Sequence, residues 1–463
     1  MVYFYGKNTI AMAHGIDTDE LLLRFARSQN DTLDVGNLRI TSLPKLPAGL
    51  KVLKCNHASI SSLPKLPASL QVLQCIGNKI RSLPKLPVGL QVLNCSNNRI
   101  SSLPKLPVGL QKFYCSFNDL TSYPKLPAEL KEFYCSFCNL TNLSDLPAGL
   151  KELFCDGNEF TSLPPLPSTL EILRCENNKL THLPELPVRL TVLECYGNTH
   201  IKFLPPIPSG LIKLRCCDTS LTTLPELPVA LEYLNCLNNQ LTCLPTLPVS
   251  LQYLNCSDNN LTSLPELPAA LLDLFCKNNA LTSLPELNAR LVRLYCYYNE
   301  LTSLPKLPVS LDAINCSNNN LISLPELPVL LQDLACEHNQ LINLPELPVT
   351  LQTIDCYDNN LISLPKLPIL LQQLHCFRNQ LTHLPELPVS LQEFNCFDNP
   401  SLIIQRYPDE SIIDYNGRWS VWRKWVEEQA SMKRIKERNQ EIKEDLIAKF
   451  WKPRMLKTTP LKK

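Results

Sequence analysis

Leu90-Gln-Val-Leu-Asn-Cys95-Ser-Asn-Asn98-Arg-Ile100-Ser-Ser-Leu103-Pro-Lys-Leu-Pro107-Val-Gly is a stretch of 20 residues that returns, with small changes, along most of the chain. Cysteine marks the period: it recurs every 20 residues from Cys55 to Cys195 and again from Cys216 to Cys396. That gives 18 copies, and a degenerate nineteenth precedes them with Val35 in the cysteine place. A period this short and regular means a solenoid. Each coil touches only its neighbours, so the core grows with copy number and the 463 residues need not divide into ordinary domains. Solenoids display surface, and the expected role is binding.

The unit can be built from its residues. Leu93-Asn-Cys95 alternates inward and outward, as a short strand buried on one face does. Stacked copies give one long parallel sheet. Asn stands three residues after Cys in 15 of the 18 copies, with Ala58, Cys138 and Thr219 as the exceptions. Its side chain is suited to satisfying backbone groups of the turn that leaves the strand. Leu or Ile two residues later (Ile100, Leu120, Leu261) re-enters the core. Leu-Pro-x-Leu-Pro then forbids a helix interior or a central strand. Polyproline II repeats every three residues, so Leu103 and Leu106 share an inward face while Pro104 and Pro107 are expected to form an outer ridge. An extended back implies gentle curvature, and coils about 4.8 Å apart imply a stack of roughly 90 Å.

The chain has 40 Pro, accounted for by the repeat, and only 12 Gly. No stretch is long and apolar enough to span a bilayer, and the N-terminus lacks a basic start followed by an apolar run, so neither a membrane span nor a secretory signal is expected. Of the 21 cysteines, 18 occupy the inward repeat position; Cys138, Cys217 and Cys243 stand apart. Inward thiols behave as small hydrophobes, and close stacking makes oxidation a hazard, so a reducing, cytoplasmic compartment is expected. One line of thiols with seven scattered His does not converge as zinc ligands must, and no metal or other cofactor is expected.

Open solenoid ends must be covered. Residues 1–32 read as an N-terminal helical cap, because Asp17-Thr-Asp-Glu20 before Leu21-Leu-Leu-Arg-Phe-Ala-Arg looks like a helix start. Residues 33–399 form the solenoid. Residues 400–463 read as a basic helical cap and tail, in which Trp419, Trp422 and Trp425 at helical spacing would close the last coil. The chain is expected to be monomeric. A short, flawed seam over 422–449 (Trp425, Met432, Asn439, Leu446) is the coiled-coil alternative.

The unit Leu-x-x-Leu-x-Cys-x-x-Asn-x-Leu-x-x-Leu-Pro-x-Leu-Pro resembles a leucine-rich repeat of the shortest type. It is similar to the arrays of bacterial effectors delivered into host cells, some carrying a ubiquitin-ligase domain, and to arrays in amoeba-infecting bacteria and giant viruses. The resemblance implies a solenoid poor in helix, with one parallel sheet, an extended convex side and helical caps. It also implies a pathogen or viral factor that engages host protein, with the host cytosol as its place of action. In those ligases a Cys-x-Asp nucleophile sits in a large helical domain. Here Cys-x-Asp occurs at Cys216, Cys256, Cys356 and Cys396, each an inward repeat residue, and 64 residues follow Asn399. A catalytic thiolate needs exposure, and no phosphate loop, zinc-protease motif or G-x-S-x-G is present. A non-enzymatic scaffold is therefore expected, with a ligase-like effector as the alternative.

The net charge of +1 hides an asymmetry. Residues 43–130 carry +9, residues 131–399 carry −13 and residues 400–463 carry +6. The x of Leu-Pro-x-Leu-Pro is Lys45, Lys65, Lys85, Lys105 and Lys125, then mostly Glu. Ammonium groups about 5 Å apart lie within one Debye length and repel, so this ladder is a candidate anion site; repeat copying alone would also produce it. Outward positions around the cysteines are aromatic at Tyr114, Phe117, Tyr134, Phe137 and Phe154, and again at Tyr295, Tyr297 and Tyr298 beside Phe275. Such clusters are typical interface anchors, and they form the candidate site for a protein partner whose identity the sequence does not name. Aromatics beside basic residues can stack nucleobases, but the Lys ladder lies on the other side of the coil, which argues against nucleic acid.

Overall fold

The computed structural model describes residues 18–27, 31–402, 414–415, 417–418 and 421. Helix α1 (Thr18–Arg27) comes first, with Asp19 and Glu20 in its first turn. Nineteen strands of three residues follow, from β1 (Thr32–Asp34) to β19 (Glu393–Asn395). Each pairs in parallel with the strand of the coil before and the coil after, to give one continuous sheet. The coil between Cys195 and Cys216 holds one extra residue, yet β9 (Val192–Glu194) and β10 (Lys213–Arg215) stay in register, so the loop absorbs the insertion. The ladder also runs one residue past each strand: Cys95 N donates to Tyr114 O at 2.8 Å.

The core is the repeat read edge-on. Leu90, Leu93, Cys95 and Ile100 have no exposed surface, and Leu106 closes the back. All 21 cysteines are free thiols; 20 are buried and Cys243 is exposed. The buried asparagines form the expected ladder, and they bridge coils as well as turns. Asn259 Nδ2 donates to Cys256 O (3.1 Å) and Ser257 O (2.9 Å) of its own coil, and to Cys236 O (3.0 Å) of the preceding one. Its Oδ1 accepts from Leu241 N at 3.0 Å, the residue that re-enters the core one coil earlier. The exceptions find substitutes: Thr219 Oγ1 donates to Cys216 O at 3.1 Å, Cys138 Sγ contacts Cys115 O at 3.1 Å, and Ile40 N takes the backbone carbonyl of Ala58 at 3.2 Å.

The back of the coil differs from the expected proline ridge. Pro104 and Pro124 are half-buried and Pro107 and Pro127 are buried, so these prolines do not stand out as an open ridge. The exposed outline belongs instead to the Lys or Glu between them and to the residue after the second proline. Leu110 N donates to Pro107 O at 3.2 Å, and this turn recurs coil after coil. The valine inside it is pushed outward, so Val88 and Val108 are 78% and 72% exposed.

At the first coil, Leu21 of α1 is buried and Phe25 packs against the core, while Arg24 Nη1 donates to Asp34 O and Gly36 O at 3.3 Å each. At the other end Tyr415 is buried, its ring centre 6.4 Å from that of Phe394. Trp419, Trp422, Trp425 and the 422–449 seam lie outside the described residues. No described helix is long and apolar enough to cross a membrane.

Two outcomes follow from this core. Asn259→Ala strands one buried N–H and removes donors from three carbonyls, so it is expected to destabilise the chain by about 3 kcal/mol, read from the denaturation midpoint. Burial raises the ladder thiols from the ordinary 9.0 to about 12 at Cys55, Cys256 and Cys296. A folded-state value above the unfolded one means that this stability is complete below pH 9 and is lost as pH rises from there through the folded values. Each such thiol removes about 1.4 kcal/mol per pH unit in that window, so reduced protein is expected to unfold near pH ~10, with thiolate absorbance and loss of circular dichroism appearing together. Ladder thiolates forming near pH ~9 in chain that is still folded, measured with the exposed Cys243 replaced by Ser, would overturn this.

Candidate functional site

Beside the first residue of each strand, the repeat leaves three outward columns on the strand side: the residue before each cysteine, the one after it, and the one after that. In the first column Tyr114 of β5 (Lys112–Tyr114), Tyr134 of β6 (Glu132–Tyr134) and Phe154 of β7 (Glu152–Phe154) stack. Ring centres are 4.5 Å apart for the first pair and 3.9 Å for the second, which is within 2° of parallel. These rings are half-buried against one another rather than fully exposed. The neighbouring acids, which could have served as free polar contacts, are already engaged. Glu132 accepts the Tyr114 hydroxyl and holds Lys112 Nζ at 2.7 Å, and Glu152 accepts the Tyr134 hydroxyl. Burial, followed by these carboxylates, raises both phenols above their ordinary range, so both remain protonated donors at neutral pH.

The stack continues into charge. The Arg174 guanidinium lies 4.6 Å from the centre of the Phe154 ring. Glu194, buried, then faces Lys213 Nζ at 2.7 Å, Arg174 Nε at 3.6 Å and Arg215 Nη1 at 3.9 Å. Arg215 in turn covers the Tyr196 ring at 4.7 Å. Beside them burial pushes the Glu176 carboxyl up to about 7, with Asp156 and Glu194 adding to the effect and Arg174 opposing it. Sequence reading missed Arg174, Glu194, Arg215 and Tyr196, because each is a single unlike residue in its column.

The third column has a backbone signature. All 18 residues two after the ladder cysteines have positive φ. Twelve of them are Asn, Asp or Gly, the residues that tolerate that conformation. The six that break the pattern are His57 (φ 53°), Phe117 (φ 57°), Phe137 (φ 53°), Tyr298 (φ 53°), His338 (φ 51°) and Arg378 (φ 51°). Phe117 and Phe137 stack at 4.7 Å and remain 53% and 44% exposed. They therefore sit at the edge of the strand face, not on it. The next coil accommodates Phe137: a Cβ on Gly157 would lie 2.4 Å from its ring. The run of Asn, Asp and Gly two after cysteine was the available signal for this column.

The second aromatic group is also assembled. Tyr295 of β14 (Arg293–Tyr295) stacks on Phe275 of β13 (Asp273–Phe275) at 5.1 Å, and Tyr297 and Tyr298 meet at 5.7 Å. Eight strands separate β6 from β14, roughly 38 Å at ordinary strand spacing. Lys45, Lys65, Lys85, Lys105 and Lys125 are all exposed on the back, and none makes an ion pair among the described residues. Among the described residues no group of three His, Cys, Asp or Glu could hold a metal.

A one-residue register repeated over the whole sheet, an asparagine ladder and an open strand face define a leucine-rich-repeat solenoid. Among solved structures the chain is similar to YopM from Yersinia enterocolitica: 34% identity, 82% of this chain and 95% of that one covered, TM-score 0.69. It is also similar to YopM of Yersinia pestis, described as a leucine-rich effector protein: 30% identity, coverage 83% and 94%, TM-score 0.51. The chain belongs to this YopM family of leucine-rich-repeat proteins. No protein-family model matches it, and no curated protein does.

Proposed function

We propose that this chain is a non-enzymatic protein-interaction scaffold whose main contact surface is centred on Tyr114, Phe117, Tyr134, Phe137 and Phe154. The observation that carries this reading is the left-handed backbone of Phe117 and Phe137. A bulky residue there costs about 1 kcal/mol more than Asn or Gly, yet both rings are held stacked and open to solvent. Backbone strain tolerated for an exposed side chain points to function rather than folding. The described effector role of the Yersinia pestis relative supports a further step: a factor that engages host proteins in a reducing cytosol, where the thiol core stays intact. The Lys ladder is a second reading, an anion-binding strip, supported by five exposed ammonium groups without ion pairs among the described residues.

The test is capture of partners from host-cell extract by wild type and by Tyr134→Ala/Phe137→Asn. Asn suits the left-handed backbone, and its gain of about 1 kcal/mol offsets the ring stacking lost. Melting is therefore expected to stay near wild type. Aromatic anchors each contribute about 2 kcal/mol or more, so capture should fall at least ~10-fold. A variant that melts normally and still captures the same partners would sink this placement; one that unfolds would make the rings structural.

For the second reading, Lys65→Glu/Lys85→Glu/Lys105→Glu is expected to abolish salt-sensitive retention on a phosphate or sulfate matrix. Unchanged retention would leave repeat copying as the whole explanation of the ladder.

A further inference from the structure

Further along the strand face lies a groove of about 590 Å³ that the aromatic ladder does not reach. Asp218 and Asp258 border it from the earlier coils, and Phe275, Tyr295 and Tyr297 from the later ones. The acids are held in place: Asp218 accepts from Asn238 Nδ2 at 2.8 Å and Asp258 from Asn278 Nδ2 at 2.7 Å. Phe275 and Tyr295 lie within 7° of parallel and make a flat platform. Lys277 is the one cation among the lining residues, 3.6 Å from Asp258 and 5.5 Å from the centre of the Tyr297 ring. Asp218 has no ion pair among the described residues.

Ser257 also borders the groove. It is 1% exposed, and its hydroxyl has no hydrogen-bond partner. Three coils on, the equivalent Ser317 donates its hydroxyl to Asn315 Oδ1 at 2.6 Å, whereas the Ser257 hydroxyl makes no such bond to Asn255. A buried hydroxyl left unmatched beside a cavity is a feature that a ligand can complete.

We propose that the groove is a recognition site of its own, and that it takes an arginine side chain from an extended basic segment of a partner protein. This rests on reading the chain as a protein-binding scaffold. The charge fits: two carboxylates face one ammonium, within a stretch (131–399) of 27 Asp/Glu against 14 Lys/Arg. The shape fits arginine rather than lysine. A planar guanidinium stacks on aromatic faces and presents five N–H groups in a fork, enough for a carboxylate and the Ser257 oxygen together, whereas an ammonium is a point charge. The chain already uses this contact internally, with Arg174 on Phe154 at 4.6 Å.

The probes are two fluorescent peptides of alternating glycine and arginine, or glycine and lysine, read by anisotropy on the full chain at physiological salt. The arginine peptide is expected to bind about tenfold tighter than the lysine one. Asp218→Asn/Asp258→Asn should weaken it about tenfold, while Glu326→Gln/Glu346→Gln, the same charge change on the back of the coils, should leave it near wild type. Ser257→Ala should lower affinity several-fold with unchanged melting, because it breaks no hydrogen bond within the chain. Equal loss in both charge pairs would reduce the groove to a general acidic field. Equal binding of the two peptides, or wild-type binding by Ser257→Ala, would also overturn the proposal. Tyr134→Ala/Phe137→Asn is expected to bind the arginine peptide normally, so failure of the groove and failure of the aromatic ladder are read separately.

Discussion

Every coil leaves its turn with backbone groups pointing into an apolar interior, where an unmatched donor or acceptor costs about 1–3 kcal/mol. The asparagine three residues after each cysteine meets that demand. One amide serves the turn of its own coil and the carbonyl and N–H of the coil before it, as Asn239 does for Cys216 O, Cys236 O and Leu221 N. Neighbouring coils are thereby locked at a fixed offset. The leucines and the small cysteine then have to fit only a line of copies of themselves, and the same residue can recur at full burial along the stack. Length is consequently inexpensive in design terms: adding a coil adds one unit of core and one unit of polar matching together.

Fixing the interior this way separates folding from display. The outward columns make no demand on the core, so their residues differ widely from coil to coil while the inward strand positions stay apolar, mostly leucine and cysteine. Stacking turns each column into a continuous surface. Tyr114, Tyr134, Phe154 and Arg174 form one unbroken pile across four strands. A change of residue type along a column then becomes a change of chemistry along the molecule, from aromatic to charged near Glu194 and back to aromatic at Phe275, whose ring stacks on Tyr295 at 5.1 Å.

The interior was legible in the sequence because it is periodic. Cys at a fixed interval, Leu two before it and Asn three after it each have one physical reason, and repetition makes that reason visible. The aromatic candidates were legible for the same cause, as runs within a column. What escaped was either singular or conformational. Glu194 and Ser257 matter through neighbours one coil away, which a linear reading does not weigh. The prolines are less exposed than expected because a threefold period assigns them a face but not a degree of burial. The positive φ two residues after cysteine is written in Asn, Asp and Gly, but six other residues interrupt that run, and a side chain such as Phe or Tyr carries no sign of the backbone beneath it.

That column also decides which exposed apolar side chains carry meaning. Val188, Val229, Val249 and Val389 are 76–86% exposed, more so than any aromatic of the strand face. They occupy a turn position that accepts most residues, so valine there is held at no backbone cost and its exposure argues for nothing. Phe117 and Phe137 are less exposed, but each holds a conformation that disfavours a Cβ-bearing ring, and Phe137 lies over Gly157, whose missing side chain makes the room. Exposure alone ranks the valines first. Exposure weighed against the conformational cost of keeping the residue ranks Phe117, Phe137 and Tyr298 first, and it is the second ordering that supports the contact surface proposed for the strand side of the coil.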